Sequence, residues 1–264
     1  MAETGRLTRS RSAALTMGPV TLLRVAIIVA IVVVWEATAR SGLLYRDVVP
    51  SLVVIGRAVV GQVLEREFYW HLGWTGVEIG GALVIGGLSG LIVGLVLGGS
   101  RLLSSSFESF LYYLGPTPKI IFFPVMIMWF GVGPSSKAAL GTISCFFPIA
   151  LSTAAGMRQI DEILIRVGKS FRANTWQMVT KIYLPAMRHP IINGVRLGLG
   201  VAIIGTLLAE TKLSNRGIGF LIINSYSTFD MPRMYALLII LFVLAIGANA
   251  LVSRLGGIEN IRRN

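Results

Sequence analysis

The sequence predicts an all-α, polytopic membrane protein of about six transmembrane helices with one long helical loop facing the cytoplasm. Three observations lead there. Across 264 residues, 54% are hydrophobic and 14% charged, and the mean hydropathy is +0.75, too apolar for an ordinary soluble domain. The apolar residues collect into runs able to cross a hydrocarbon core of about 30 Å at about 1.5 Å per residue. The 24 basic residues outnumber 12 acidic ones and gather in tails and alternate loops, the pattern of positive-inside topology.

That topology also accounts for the net charge of +12 without a nucleic-acid partner, because the basic residues are spread over loops and ends rather than along one face. Cys145 is the only cysteine, so no intrachain disulfide framework and no thiolate metal cluster is expected; it reads as a small core residue.

Residues 1–19 carry Arg6, Arg9 and Arg11 against Glu3 and read as a disordered cytoplasmic tail. The first expected span is 22–39. A cleavable signal peptide is the rival reading of that run, against which stand Trp35 and Glu36 in the would-be cleavage region and the further spans downstream. From Ser41 to Gly73 the charges are mixed, with Tyr69, Trp70 and Trp74 near the end, as in an outside loop with an interfacial amphipathic piece. The second span, 76–98, places Gly86, Gly90, Gly94 and Gly98 four residues apart, a face that lets another helix approach closely. The third, 107–130, is interrupted by Pro116, Pro118 and Pro124. Each proline removes a helical hydrogen bond, so the segment is either irregular and beside a pathway or the boundary between an interfacial helix and a shorter span. The fourth span is 137–157, and the fifth, 191–209, holds Gly194 and Gly198 for packing. The sixth is 235–252, and 255–264 forms a second basic cytoplasmic tail.

Between the fourth and fifth spans, 158–190 is a basic amphipathic island. Asp161 and Glu162 suit the first turn of a helix, and Ile160, Leu164, Val167 and Phe171 recur at helical spacing. Asn174 can cap a second helix with Gln177 three residues on, and Trp176, Val179, Ile182 and Tyr183 form its apolar side. Arg166, Lys169, Arg172 and Lys181 occupy the polar faces. By residue pattern alone this is a solvated basic loop.

The island also resembles the loop of inner-membrane subunits of bacterial ABC importers, which runs E-A-A, then G, then I-x-L-P. Arg166-Val167-Gly168 falls on E-A-A, Arg172 on the Gly, and Ile182-Tyr183-Leu184-Pro185 on the end. The L-P end matches; Arg166 reverses an acidic charge, and Arg172 replaces a Gly at a bend where positive φ would cost a non-Gly residue on the order of 1 kcal/mol. A second stretch, LGPTPKIIFFPVMIMWFGVGPSSK, resembles the proline-W-F-G-x-G pattern of permeases importing nitrate, sulfonates and taurine, with Lys119 where a small or apolar residue is common.

Together the resemblance covers about residues 50–254 and implies an ABC importer permease in the bacterial inner membrane, both termini cytoplasmic. It implies three protein partners: a dimer of ABC ATPase subunits, a periplasmic substrate-binding protein, and a second permease copy, most simply as a homodimer. The island becomes the coupling-helix loop, with Ile163, Leu164, Arg166, Val167, Gly168, Lys169, Phe171, Arg172, Ala173, Trp176, Leu184 and Pro185 toward the ATPase. Pathway residues are expected among Pro116, Pro118, Pro124, Trp129, Phe130 and Glu210.

No catalytic constellation accompanies these features. The only histidines, His71 and His189, lie beside expected loops. Residues 131–137, GVGPSSK, lack the glycine before lysine and the following Ser or Thr of a phosphate loop, and Pro134 removes an amide. ATP and Mg are therefore expected on the partner ATPase and no cofactor on this chain. Glu36, Glu78 and Glu210 are the ionisable residues nearest span interiors, each expected at an interface, and their scarcity argues against an ion-coupled carrier. A carrier or channel working without ATP is the alternative function.

Overall fold

The computed structural model describes residues 19–42 and 48–255; the expected tails 1–19 and 255–264 lie almost wholly outside them. The described residues are helical, with no strand among them. The chain divides into two units, Met1–Val54 and Ile55–Asn264.

In the first unit, α1 (Pro19–Ser41) opens on a proline, tolerated there because the first helical N–H has no intrahelical acceptor. It is an apolar rod with no buried residue, a surface suited to lipid. Glu36 near its end accepts Arg40 Nε at 2.7 Å and the amide of Leu52 at 3.1 Å, satisfying an otherwise orphan donor at the start of α2 (Leu52–Leu64). Trp35 Nε1 donates to the Pro50 carbonyl at 3.2 Å.

The second unit is built on α3 (Arg66–Gly99), α6 (Pro134–Arg158) and α10 (Arg188–Lys212). At 34 residues α3 is about 51 Å long, well beyond the hydrocarbon core. It begins at Arg66, earlier than the expected start of the second span at 76. The mixed charges and two glycines there do not stop the helix, because its extra turns bury Phe68, His71 and Thr75 against α11 (Ile218–Ser227) and its flanking loop.

The four-residue glycine row is the seam between α3 and α6. A Cβ at Gly86 would lie 2.7 Å from the Thr142 carbonyl; at Gly90, 2.8 Å from Phe146 O; at Gly94, 2.6 Å from Ala150 O; at Gly98, 2.8 Å from Ala154 O. Both helices advance four residues per contact in the same direction, so α3 and α6 run parallel. By contrast Gly194, Gly198 and Gly205 of α10 meet Ser152, Ile149 and Ser144 in descending order, so α10 runs antiparallel to α6. Around this seam Cys145, Ile149 and Ala202 are fully buried; the thiol of Cys145 donates to Ala82 O at 3.3 Å.

Two parallel helices need a return crossing between them. It comes from α4 (Arg101–Leu114), a tight turn Lys119–Phe122 and α5 (Phe123–Phe130), and these halves bend by 91°. The single interrupted span expected over 107–130 is thus two helices. Pro116 and Pro118 lack the N–H groups to continue α4, and Lys119 Nζ turns back to donate to the carbonyls of Gly115 and, at 3.2 Å, of Thr117. Pro124 sits in the first turn of α5, where its missing donor costs little. Five helices, α1, α3, α6, α10 and α12 (Met231–Leu255), are each long and apolar enough to span a bilayer, and the bent pair makes a sixth crossing.

Candidate functional site

Residues 158–190 fold as two packed helical pieces. Asp161 caps α7 (Glu162–Ser170) by accepting the Ile163 amide at 2.8 Å. The chain then turns through Arg172, whose φ of 52° is left-handed. Arg172 N–H donates to Lys169 O at 2.9 Å and Ala173 N–H to Gly168 O at 3.0 Å, the paired bonds of a Schellman turn whose C′ residue is usually glycine. Asn174 and Gln177 make the reciprocal capping box at 2.8 and 2.9 Å, starting α8 (Thr175–Gln177). A π-helical stretch, Met178–Tyr183, leads into α9 (Leu184–Ala186). The widened turn falls where Pro185 cannot donate back to residue 181.

Gly168 is where the two pieces meet: a Cβ there would lie 2.6 Å from Met178 Sδ and collide with Ile182. It faces inward, as does buried Met178, while Ile163, Leu164, Val167, Phe171 and Trp176 are all exposed. Phe171 is 83% and Trp176 74% accessible. The result is a rigid, capped element presenting an apolar stripe with no cover among the described residues. Lys169, Arg172 and Pro185 are exposed; Ala173 and Leu184 are half-buried. Arg166 is exposed but engaged, its guanidinium 2.8 Å from Glu162. Just before the element, Arg158 grips Glu108 of α4 with two bonds of 2.5 and 2.7 Å, and Ser104 joins both, so the element is moored to the bent crossing as well as to α6.

A second polar construction lies at the other end of α10. Three successive amides entering α11 are each taken by a different side chain: Gly217 N–H by His71 Nδ1 at 3.0 Å, Ile218 N–H by Thr75 Oγ1 at 2.8 Å, Gly219 N–H by Glu210 Oε2 at 2.6 Å. Thr75 donates its hydroxyl proton to Glu210 Oε1 at 2.7 Å. Gly217, at φ 99°, leaves room for the Glu210 carboxylate that any Cβ would strike. Nearby, Lys137 Nζ donates to Gly133 O at 3.3 Å and stands 4.0 Å from Glu78 Oε1. Glu78 and Glu210, expected at interfaces, are instead 1% and 0% exposed. The expectation failed because the turn entering α11 folds back over Glu210, and Glu78 lies on the length of α3 packed toward Lys137 of α6. Lys137, hidden at the end of a phosphate-loop-like string, was missed as a buried cation. The spacing that could have revealed the cluster is Gly217-Ile218-Gly219 following Glu210.

Beside this cluster an open cleft of about 510 Å³ is lined in part by Val132, Thr211, Lys212, Asn215 and Asn224. Of the expected pathway residues, only Glu210 joins that cleft; Pro116, Pro118, Pro124, Trp129 and Phe130, in the bent crossing, are each exposed.

Several helices long and apolar enough to cross a membrane, packed in parallel and antiparallel pairs with a capped, exposed helical element between two of them, fit a component of a membrane transport system. Residues 86–257 match the binding-protein-dependent transport system inner membrane components, and the chain belongs to that family. It is 31% identical to the putative aliphatic sulfonates transport permease protein SsuC of Escherichia coli (strain K12), over 84% of this chain and 86% of the relative. It is 30% identical to the taurine transport system permease protein TauC of the same organism, over 73% and 71%. To the formylaminopyrimidine transport permease protein ThiX of Halalkalibacterium halodurans it is 27% identical, over 88% and 90%. The chain is therefore a permease subunit of an ABC importer in the inner membrane, not an enzyme, and ATP hydrolysis belongs to a separate subunit. This sets aside the ATP-independent carrier.

Proposed function

We propose that two copies of this chain form one translocation pathway, with residues 158–190 docking on a dimer of ATPase subunits in the cytoplasm and a periplasmic binding protein delivering solute at the opposite end. In this arrangement both termini are cytoplasmic, and the island lies on the side with most of the basic loop residues, as the positive-inside rule requires. ATP and Mg sit on the partner; this chain contributes no cofactor site.

The observation that carries the reading is the exposed stripe Ile163, Leu164, Val167 and Phe171 on a helix whose adjoining flank is fastened through Gly168 to Met178 and Ile182. A capped, inward-packed element transmits displacement as a unit, and Arg158 relays it to α4 through Glu108. Coupling then follows if the two states of the ATPase dimer offer this stripe different contacts. The exposed apolar side of the bent crossing, including Trp129 and Phe130, supplies a surface for the second copy. The solute is a small molecule, as the relatives' named solutes, sulfonates, taurine and formylaminopyrimidine, are.

The test is purification of the tagged chain co-expressed with its ATPase subunit. ATPase should co-purify and be lost when Val167 and Phe171 are both changed to Ser. Retention of ATPase by that double variant would remove the docking role.

A further inference from the structure

We propose that Arg172 makes an ionic contact with a carboxylate on the ATPase subunit, beside the apolar contact made by Phe171 and Trp176; the inference rests on the docking role given above. Arg172 occupies the left-handed C′ position of a Schellman turn, where glycine is unstrained, and only one other non-glycine among the described residues, Phe229, has positive φ. A residue held in a sparsely populated conformation at an exposed turn points to a use for its side chain.

That side chain has no use within the fold. Arg158 is bound to Glu108, Arg166 to Glu162 and Arg233 to Glu65, whereas Arg172 has no ion-pair or hydrogen-bond partner for its guanidinium among the described residues. Its neighbours explain where a partner would come from. Phe171 immediately precedes it and Trp176 follows within a turn, both largely accessible, and the Schellman turn on one side and the capping box on the other hold all three in place. An unpartnered cation on a backbone held in place, with an exposed aromatic before it and another after it in the chain, fits a shaped protein surface with an apolar recess and an acidic rim. A bilayer of anionic lipid would be served as well by Lys169 or Lys181, which need no left-handed backbone.

The experiment uses the full chain co-expressed with its ATPase subunit. It reads ATPase retained on the tagged permease across a salt series, and the thermal midpoint of each variant. Arg172→Gly should raise the midpoint by releasing strain yet lower ATPase retention about tenfold, the scale of one charge-assisted contact, with most of the salt dependence gone. Arg172→Lys should keep retention within a few-fold, and Arg172→Glu should lose it and regain it when the facing carboxylate becomes Arg. Arg172→Gly that retains ATPase like the parent at every salt concentration would overturn the contact and leave Arg172 as a turn residue. Unchanged ATPase retention with lost binding to phosphatidylglycerol vesicles would overturn it in favour of lipid. If the unaltered chain and Phe171→Ser alike hold no ATPase, the docking reading itself fails, and this contact with it.

Discussion

The Glu210 carboxylate and the Gly219 amide are joined at 2.6 Å inside the bundle, so an ionisable side chain of a spanning helix closes the first turn of the short helix α11. Thr75 holds the other carboxylate oxygen and the neighbouring amide, making a fully occupied cap drawn from two spans. Glu210→Ala should lower the stability of the purified protein by about 1–3 kcal/mol for each partner it strands, the Gly219 amide and the Thr75 hydroxyl. Thr75→Val should cost about 1–3 kcal/mol. Thermal unfolding in detergent measures both, and unchanged midpoints would show that α11 is held by something other than this cap.

The glycine seam makes a graded prediction. Gly90→Ala drives a methyl group to 2.8 Å from the Phe146 carbonyl, a backbone atom that cannot swing aside, and should destabilise by about 1–3 kcal/mol. Gly87→Ala on the same helix meets nothing nearer than 3.8 Å, and Gly80→Ala nothing within 4 Å. Those two should match or exceed the parent, since alanine favours helix over glycine. Equal losses at all three positions would contradict the seam.

The Arg158–Glu108 pair predicts an effect on coupling larger than its effect on stability. Arg158 is 42% accessible, so solvent limits the pair to about 1 kcal/mol. Its position between α4 and the 158–190 element means that, if that element docks on the ATPase as proposed, Arg158→Ala should uncouple ATP hydrolysis from solute uptake more than it lowers the melting temperature. Exchanging the two residues, Glu108→Arg with Arg158→Glu, should restore coupling. Uptake in proteoliposomes divided by ATP consumed is the readout, and an unchanged ratio in the single variant would remove the relay.

Lys119→Met keeps the length of the side chain but removes its donors, leaving the carbonyls of Gly115 and Thr117 without their partner at the break of the bent crossing. A cost of about 1–3 kcal/mol is expected. Hydrogen exchange should quicken across 115–123 while the seam residues of α3 and α6 keep their protection. Uniform loss across the bundle would mean that Lys119 supports the whole fold rather than the bend.

Much of the 158–190 element was legible because its determinants are local. Asp161 before α7, the Asn174–Gln177 box and the L-P end are relationships within a few residues, and the periodic Leu164, Val167 and Phe171 needed only helix geometry. What the local sequence does not show is that Gly168 packs against Met178 and Ile182, which belong to the second helical piece and reach it only after the turn. The bent crossing was half legible: its prolines announce a break but not its 91° angle or the service of Lys119.

The sequence alone determined what depends on composition and short-range spacing: a multi-pass helical chain, a face of glycines ready for close approach, and a capped basic element set between spans. Hydropathy, helical period and capping act over a few residues, so they survive without knowledge of the fold. Only the tertiary structure decided that the glycine face meets α6 in parallel, and that Glu78, Lys137 and Glu210 share one buried place. It alone decided that His71, Thr75 and Glu210 cap a helix up to 146 residues away along the chain. Those facts depend on which helices become neighbours. A buried polar group finds its partner through space, and nothing in the local sequence names that partner in advance.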